Sequence, residues 1–290
     1  METLAKLTEK EDVMATVEPT RKIFEPLLSA RQTEIAQTSK RTFQYGSHTL
    51  QQLDIYYPSH VQKAPIMFFV HGGGFVAGSK NHIGNIGAFY AKRGIITVLI
   101  DYRLAPEVQY PGASEDIRDA VSFVLSSPDV GLTEEMIDKN QVYIQGQSAG
   151  GAHTLNFFFE EKLLERQKNQ FTCAGTIIIA AAYEGGSYFP MYFGSDPATA
   201  EARTPLGLLK VKTSDKAKAL LPAKILLLLA ENEPTPLVHW DANFRQALQE
   251  KGIDFHWEIM KGHNHVSPEC ALYSGEGEEF GESIVKFIKG

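Results

Sequence analysis

Apolar and polar positions change their period near residue 41. Over residues 1–36, Leu4, Leu7, Val13, Val17, Ile23, Phe24, Leu27 and Leu28 recur at roughly helical intervals, so this stretch reads as helical, interrupted at Pro19 and Pro26. From residue 41 the period becomes that of strands. Residues 42–45, a turn at Gly46 and Ser47, and residues 50–57, where Leu53, Ile55 and Tyr57 alternate with polar neighbours, predict two strands, the second ended by Pro58. Residues 65–70 and 94–101 are short apolar runs, as expected of strands buried on both faces. Four more strands are predicted from 141 into Ser148 and over 171–181, 223–230 and 254–260, with helices over 114–125, 152–166, 239–251 and 279–289. Alternation of this kind argues for right-handed crossovers and an open sheet with its site at the carboxyl ends of the strands.

No internal repeat or low-complexity linker divides the chain. The expected organisation is an N-terminal helical cover over 1–40 and one α/β domain over 41–290. Periodicity fails between 183 and 213, where Tyr183, Tyr188, Phe189, Tyr192 and Phe193 gather among Gly and Pro. A loop-rich aromatic insertion of this type serves as a lid and pocket wall, or else packs its own aromatics on the surface.

Composition narrows the class. With 290 residues, 43% hydrophobic and 22% charged, the chain suits a soluble globular protein, and none of its apolar runs reaches membrane-spanning length. A net charge of −7 and a pI near 5.7 argue against a general affinity for nucleic acid or anionic membrane. The first residues mix both charge signs without an apolar signal core, so a cytoplasmic location is expected. Cys173 and Cys270 are the only cysteines, and with unclustered histidines they give no zinc framework.

The chemistry gathers at three motifs. Gly146, Ser148 and Gly150 have the Gly-x-Ser-x-Gly spacing between a strand and a helix, where a sharp reversal crowds the backbone and pushes a serine hydroxyl outward. The turn also sets the Ala149 amide at a helix start, which favours an oxyanion. Three consecutive glycines in His71-Gly72-Gly73-Gly74-Phe75 follow a core strand, as suits a backbone that aims its amides at a ligand. The third motif is Asp101-Tyr102-Arg103-Leu104-Ala105-Pro106-Glu107.

Taken along the chain, with residues 71–75 first, 101–107 next and 146–151 last, the three motifs resemble the α/β-hydrolase superfamily, and within it the hormone-sensitive-lipase-like esterases. The resemblance runs from about residue 50 to the C-terminus. It implies an α/β-hydrolase fold: a mainly parallel eight-stranded sheet flanked by helices, with a small helical or loop cap. It also implies an oxyanion hole from the amides of Gly73, Gly74 and Ala149, with His71 orienting that loop, and Asp101, Tyr102 and Arg103 bracing the sheet below. A serine nucleophile needs a base and a group that holds the base, and in this fold both follow it, the acid first and the histidine last.

By that resemblance His265 is the base, with His263 the competitor, and Glu233, followed by Pro234, is the acid, with Glu231 the runner-up. Asp241 and Asp254 read as ordinary surface and strand-edge carboxylates. Two departures stand out: Glu233 replaces the usual aspartate, and Gln147 occupies a position where the lipase-like group has aspartate and the kynurenine formamidases and feruloyl-esterase-like proteins often have histidine or another polar residue.

The expected activity is hydrolysis of a small carboxylic ester through an acyl-enzyme on Ser148, with no metal and no cofactor. An arylformamidase or lactonase would use the same triad, and a non-catalytic receptor on this fold would lack a member of it. Phe75, Tyr183, Tyr188 and Phe189 are candidate substrate contacts. Family members are often dimers, so a homodimer is possible.

Overall fold

The structure, a computed structural model, describes residues 4, 7, 13–165, 171–185 and 189–290. The chain passes through α1 (Val13–Ala30) and α2 (Gln32–Gln37), then β1 (Lys40–Gln44), β2 (Gln52–Tyr56), β3 (Ala64–Val70), α3 (Gly84–Lys92), β4 (Ile96–Ile100), α4 (Gly112–Ser126) and β5 (Ile137–Gln147). Helices α5 (Ala149–Phe159) and α6 (Glu161–Glu165) lead to β6 (Cys173–Ile179). Four short helices follow: α7 (Phe189–Phe193), α8 (Pro197–Arg203), α9 (Pro205–Val211) and α10 (Ser214–Leu220). The chain ends with β7 (Lys224–Asn232), α11 (Thr235–Glu250), β8 (His256–Asn264), α12 (Ser267–Ala271) and α13 (Glu279–Lys289).

The strands form one eight-stranded sheet in the order β1-β2-β4-β3-β5-β6-β7-β8. Only β2 runs against its neighbours; from β4 to β8 every pair is parallel. Each parallel crossover carries helices, so the central strands are covered on both faces. In β3, Ile66, Phe68 and Val70 join the core under α4 and α5, while Met67 and Phe69 join the core under α1, α3 and α13. This two-sided burial is why the sequence of β3 is an apolar run without alternation. Removing each such side chain from water contributes roughly 1.5–3 kcal/mol. All eight expected strands are present.

Several helical features differ from the sequence expectation, and α10 and α12 are among the helices it did not include. Helix α1 runs through Pro19 and Pro26. Thr16, Thr20 and Phe24 are its buried residues, and the prolines lie off that face, so water can take the carbonyls that lose a donor. Helix α3 was not expected, because Gly84, Asn85 and Gly87 weaken its local propensity. Gly87 is needed there: a Cβ would meet the Tyr56 ring at 2.3 Å. Within 183–213, described except for 186–188, the chain is mostly helical; the aromatic content hid α7 and the short length hid α8 and α9. The helix expected over 152–166 reaches Phe159 and is continued by α6, and its last residue lies outside the described ones. Both cysteines are free thiols. Among the described residues, no helix is long and apolar enough to cross a membrane.

Candidate active site

Strand β5 delivers Ser148 to the carboxyl edge of the sheet, where α5 begins. Ser148 has φ 53° and ψ −122°, a conformation that costs a residue with a Cβ about 1–3 kcal/mol. Three hydrogen bonds hold it there. The Ser148 amide donates to Ile179 O at 2.9 Å, and its carbonyl accepts from the amides of Ala152 and Ala182 at 3.1 and 3.2 Å. Gly150 lets the turn close: a Cβ there would lie 2.2 Å from Val70 O and 2.4 Å from His71 O.

His265 follows the end of β8. Its Nε2 lies 2.8 Å from Ser148 Oγ and its Nδ1 lies 2.8 Å from Glu233 Oε2. An ionised Glu233 accepts, so Nδ1 carries the proton and Nε2 accepts from the serine hydroxyl. Both groups are sequestered, with the His265 side chain 7% exposed and that of Glu233 0%. Burial opposes the charged imidazole, but the charge and hydrogen bond of Glu233, aided by the charge of Glu269, outweigh it and raise the His265 pKa above its ordinary value.

The loop that carries His265 is tied down on three sides. Gln147 Nε2 donates to the His265 carbonyl at 3.1 Å. Asn264 Oδ1 accepts from the amides of Val266 and Ser267 at 3.1 and 2.9 Å, and its Nδ2 donates to Thr20 Oγ1 of α1 at 2.8 Å. The uncharged Gln147, a departure in sequence, therefore has a specific partner.

The competing residues point elsewhere. Glu231 accepts from Lys261 Nζ at 2.7 Å and from the Gly262 amide at 2.8 Å at the surface, and these bonds lower its pKa. His263 is buried. Its Nε2 lies 2.9 Å from Gly277 O and its Nδ1 lies 2.8 Å from Ser267 Oγ, while burial pushes its pKa down to about 4. Asp241 is not a surface carboxylate: it is fully buried, accepts from Arg245 at 2.7 Å and Trp257 at 3.2 Å, and burial raises its pKa. Asp254 is exposed, just before β8.

The glycine loop approaches the serine closely. A Cβ on Gly72 would sit 3.2 Å from Ser148 Cβ. Gly73 has φ 131°, and a side chain there would collide with Ala77 O at 2.0 Å. The Gly73 carbonyl accepts from Val76 and Ala77, whereas the amides of Gly73, Gly74 and Ala149 donate to no loop carbonyl among the described residues. His71 Nδ1 donates to Gly72 O at 2.7 Å, its ring stacks on Tyr102 at 4.4 Å, and the Tyr102 hydroxyl donates to His71 O at 2.7 Å. Beneath, Arg103 forks onto Asp116 at 2.7–3.0 Å, and Asp101 accepts from Ser79 Oγ at 3.3 Å and from the Lys80 amide.

Ser148, His265 and the glycines line one cavity of about 580 Å³. Phe75, Phe189, Leu237 and Trp240 give it apolar walls, and Val13, Met14, Val17 and Arg21 of α1 line it as well. Two of the four candidate substrate contacts, Phe75 and Phe189, are on this wall. Tyr183 is not: it is buried against the Phe244 ring at 4.3 Å, because its hydrophobic body finds a partner on α11. Tyr188 lies outside the described residues. Sequence reasoning missed Trp240 and Leu237 on α11, and Glu269 on α12. Glu269 stands four residues after His265, but His265 lies in the bend before α12, so no helical periodicity links the two. Among the described residues, no three His, Cys, Asp or Glu side chains gather as a metal site.

The strained turn at Ser148 at the end of β5, on a mostly parallel eight-stranded sheet flanked by helices, gives the chain an α/β-hydrolase fold. Its nearer likenesses lie among esterases. Residues 53–182 match the BD-FAE family model. A probable isoprenylcysteine alpha-carbonyl methylesterase of Oryza sativa subsp. japonica is 34% identical over 149 residues, which is 51% of this chain and 35% of that protein. The Arabidopsis thaliana isoprenylcysteine alpha-carbonyl methylesterase is 27% identical over 271 residues, 86% of this chain and 62% of that one. The chain thus spans between about a third and three fifths of these relatives. Among solved structures, esterase B from Lactobacillus rhamnosus superposes with a TM-score of 0.71 at 17% identity, covering 92% of this chain and 96% of that one. A hyperthermophilic esterase from Pyrobaculum calidifontis gives 0.67 at 22% identity, covering 96% and 93%.

Proposed function

We propose that the protein is a carboxylesterase-type serine hydrolase that cleaves a small carboxylic ester through an acyl-enzyme. The observation that carries this reading is His265 held between two partners at 2.8 Å, Ser148 Oγ on one side and Glu233 on the other. Ser148 attacks the ester carbonyl while Nε2 takes its proton, and the carbonyl π electrons move onto oxygen. The amides of Gly73, Gly74 and Ala149 stabilise that oxyanion, each contributing on the order of 3 kcal/mol. Collapse expels the alcohol, which receives the proton from Nε2, and leaves the acyl group on Ser148. Water then repeats the sequence with His265 as base, releasing the acid. Glu233 keeps the proton on Nδ1 and stabilises the imidazolium without taking a proton itself.

The cavity of about 580 Å³ and its Phe75, Phe189, Leu237 and Trp240 walls support an uncharged, compact acyl or alcohol group as the bound part. The relatives named as methylesterases support ester chemistry with a small leaving alcohol. In this reading the segment 1–40 is a cover and 183–213 a cap on the catalytic domain over 41–290, since residues of α1 and α7 line the cavity.

Rates on a short-chain acyl ester, an aryl formamide and a lactone, with Ser148→Ala beside the wild type, test the proposal. Ester turnover that is fastest of the three and lost in the variant is expected. Fast formamide or lactone turnover beside negligible ester turnover, or full ester activity in a folded Ser148→Ala protein, would overturn it.

A further inference from the structure

Glu269 is a carboxylate at the cavity that the reaction described above does not use. It sits on α12, four residues beyond His265, and both line the cavity. Its Oε1 accepts from the Gly72 amide at 3.1 Å, across 197 residues of chain. The Gly72 carbonyl is meanwhile bound by His71 Nδ1 at 2.7 Å. Gly72 is therefore gripped at both its amide and its carbonyl, and the next two residues are Gly73 and Gly74.

The base of this strut is rigid. The Glu269 amide donates to Val266 O at 3.2 Å, and Asn85 of α3 donates one amide group to both Glu269 O and Leu272 O at 2.9 and 2.8 Å. Asn85 is itself buried. A short helix that would otherwise be free to fray is fixed to the body of the fold, and its carboxylate reaches the loop beside the nucleophile.

We infer that Glu269 is a positioning residue for the hydrolase reaction proposed above: through Gly72 it fixes the oxyanion loop in the geometry that receives the tetrahedral oxygen. The inference rests on that proposal. The hydrogen bond requires only an acceptor, whereas the charge acts separately. It favours the imidazolium of His265, and it opposes the nearby oxyanion. Acceptor and charge are thus separable by substitution. Glutamine keeps a carbonyl oxygen for Gly72 and removes the charge; alanine removes both.

The test compares wild type, Glu269→Gln and Glu269→Ala in kcat, KM, the pH dependence of kcat/KM, and the rate of labelling by a fluorophosphonate. Glu269→Ala is expected to lose about tenfold or more in kcat with KM little changed, because the donors are displaced from the transition state. Glu269→Gln is expected to keep kcat within a few fold on the plateau, while the acidic limb of its profile moves to lower pH. A folded Glu269→Ala with wild-type kcat would overturn the inference, as would a loss confined to KM, which would make Glu269 a substrate contact. If the alanine variant does not fold, Glu269→Leu, which keeps bulk at the position but offers Gly72 no acceptor, decides, and wild-type kcat in that variant overturns the inference. A wild type that fails to label at Ser148 defeats instead the serine-hydrolase proposal on which the inference stands.

Discussion

Asn264, the last residue of β8, donates a buried 2.8 Å hydrogen bond to Thr20 Oγ1 of α1, and so ties the N-terminal helix to the residue next to His265. Both partners are fully buried, at 0% exposure. Replacing Thr20 with valine keeps the shape but strands a buried amide donor, at a cost of about 1–3 kcal/mol. Thr20→Val should therefore lower the thermal midpoint and reduce kcat/KM, while Thr20→Ser, which retains the hydroxyl, should lose much less. Melting curves and ester kinetics on the two variants check this. Equal behaviour of the two would remove the role given to the hydroxyl.

Glu233 faces His265 Nδ1 at 2.8 Å from a fully buried position. Glu233→Gln preserves size but offers an amide in place of a charge, so the imidazolium loses its counterion and the ring can take the wrong tautomer. In a comparable triad that change costs about 10⁴ in kcat. A loss of several hundredfold or more in kcat, with circular dichroism unchanged, is expected. A loss below tenfold would shift the acid to another residue.

The raised pKa of His265 fixes the direction of the pH profile. Hydrolysis needs the neutral ring, so kcat/KM should rise with pH as His265 loses its proton, with the midpoint above the ordinary histidine value of 6.5. The linkage to stability has the opposite sense. The stabilisation of protonated His265 by Glu233 is present below pH 6.5 and is lost as pH rises through the higher folded value. A midpoint below 6.5 would contradict the balance of charges in the site.

His263 behaves in the reverse manner. Its folded pKa of about 4 lies below the ordinary 6.5, so the unfolded chain binds a proton that the folded chain refuses between those values. Stability should fall as the pH drops through that window, by about 2 kcal/mol at pH 5 from this residue. Urea unfolding midpoints at pH 7 and pH 5, for wild type and His263→Gln, measure it. The variant should show the smaller acid loss.

Trp240 and Phe189 stand on the cavity wall 6.3 Å apart by ring centroids. Trp240→Ala should enlarge the cavity and shift the preferred acyl chain of a p-nitrophenyl ester series to longer members, with a rise in KM for the shortest. An unchanged chain-length profile would place the acyl group elsewhere in the cavity.

The parts that the sequence carried are those with local causes. Alternation and apolar runs sufficed for all eight strands, because strand period and two-sided burial leave a mark within five to eleven residues. The turn at Ser148 was legible from Gly146 and Gly150. Which histidine meets the serine and which glutamate meets that histidine depends on how two loops turn, and there the family resemblance supplied the choice between His265 and His263 and between Glu233 and Glu231. The strut from Glu269 to Gly72 and the bond from Gln147 to His265 join residues more than a hundred positions apart, and no periodicity encodes them. Helix α3 was hidden because its glycines serve contact with Tyr56 and weaken its own propensity. Helices α8 and α9 did carry a mark: Asp196 and Thr204 cap them, and each is followed by proline.

The serine-hydrolase account is tested most directly by treating the full chain with a fluorophosphonate and locating the adduct by mass spectrometry, with Ser148→Ala as control. It predicts a single adduct on Ser148, absent from the variant, with a labelling rate that rises with pH as His265 deprotonates. A folded wild type left unlabelled, or labelled equally in the variant, would contradict it.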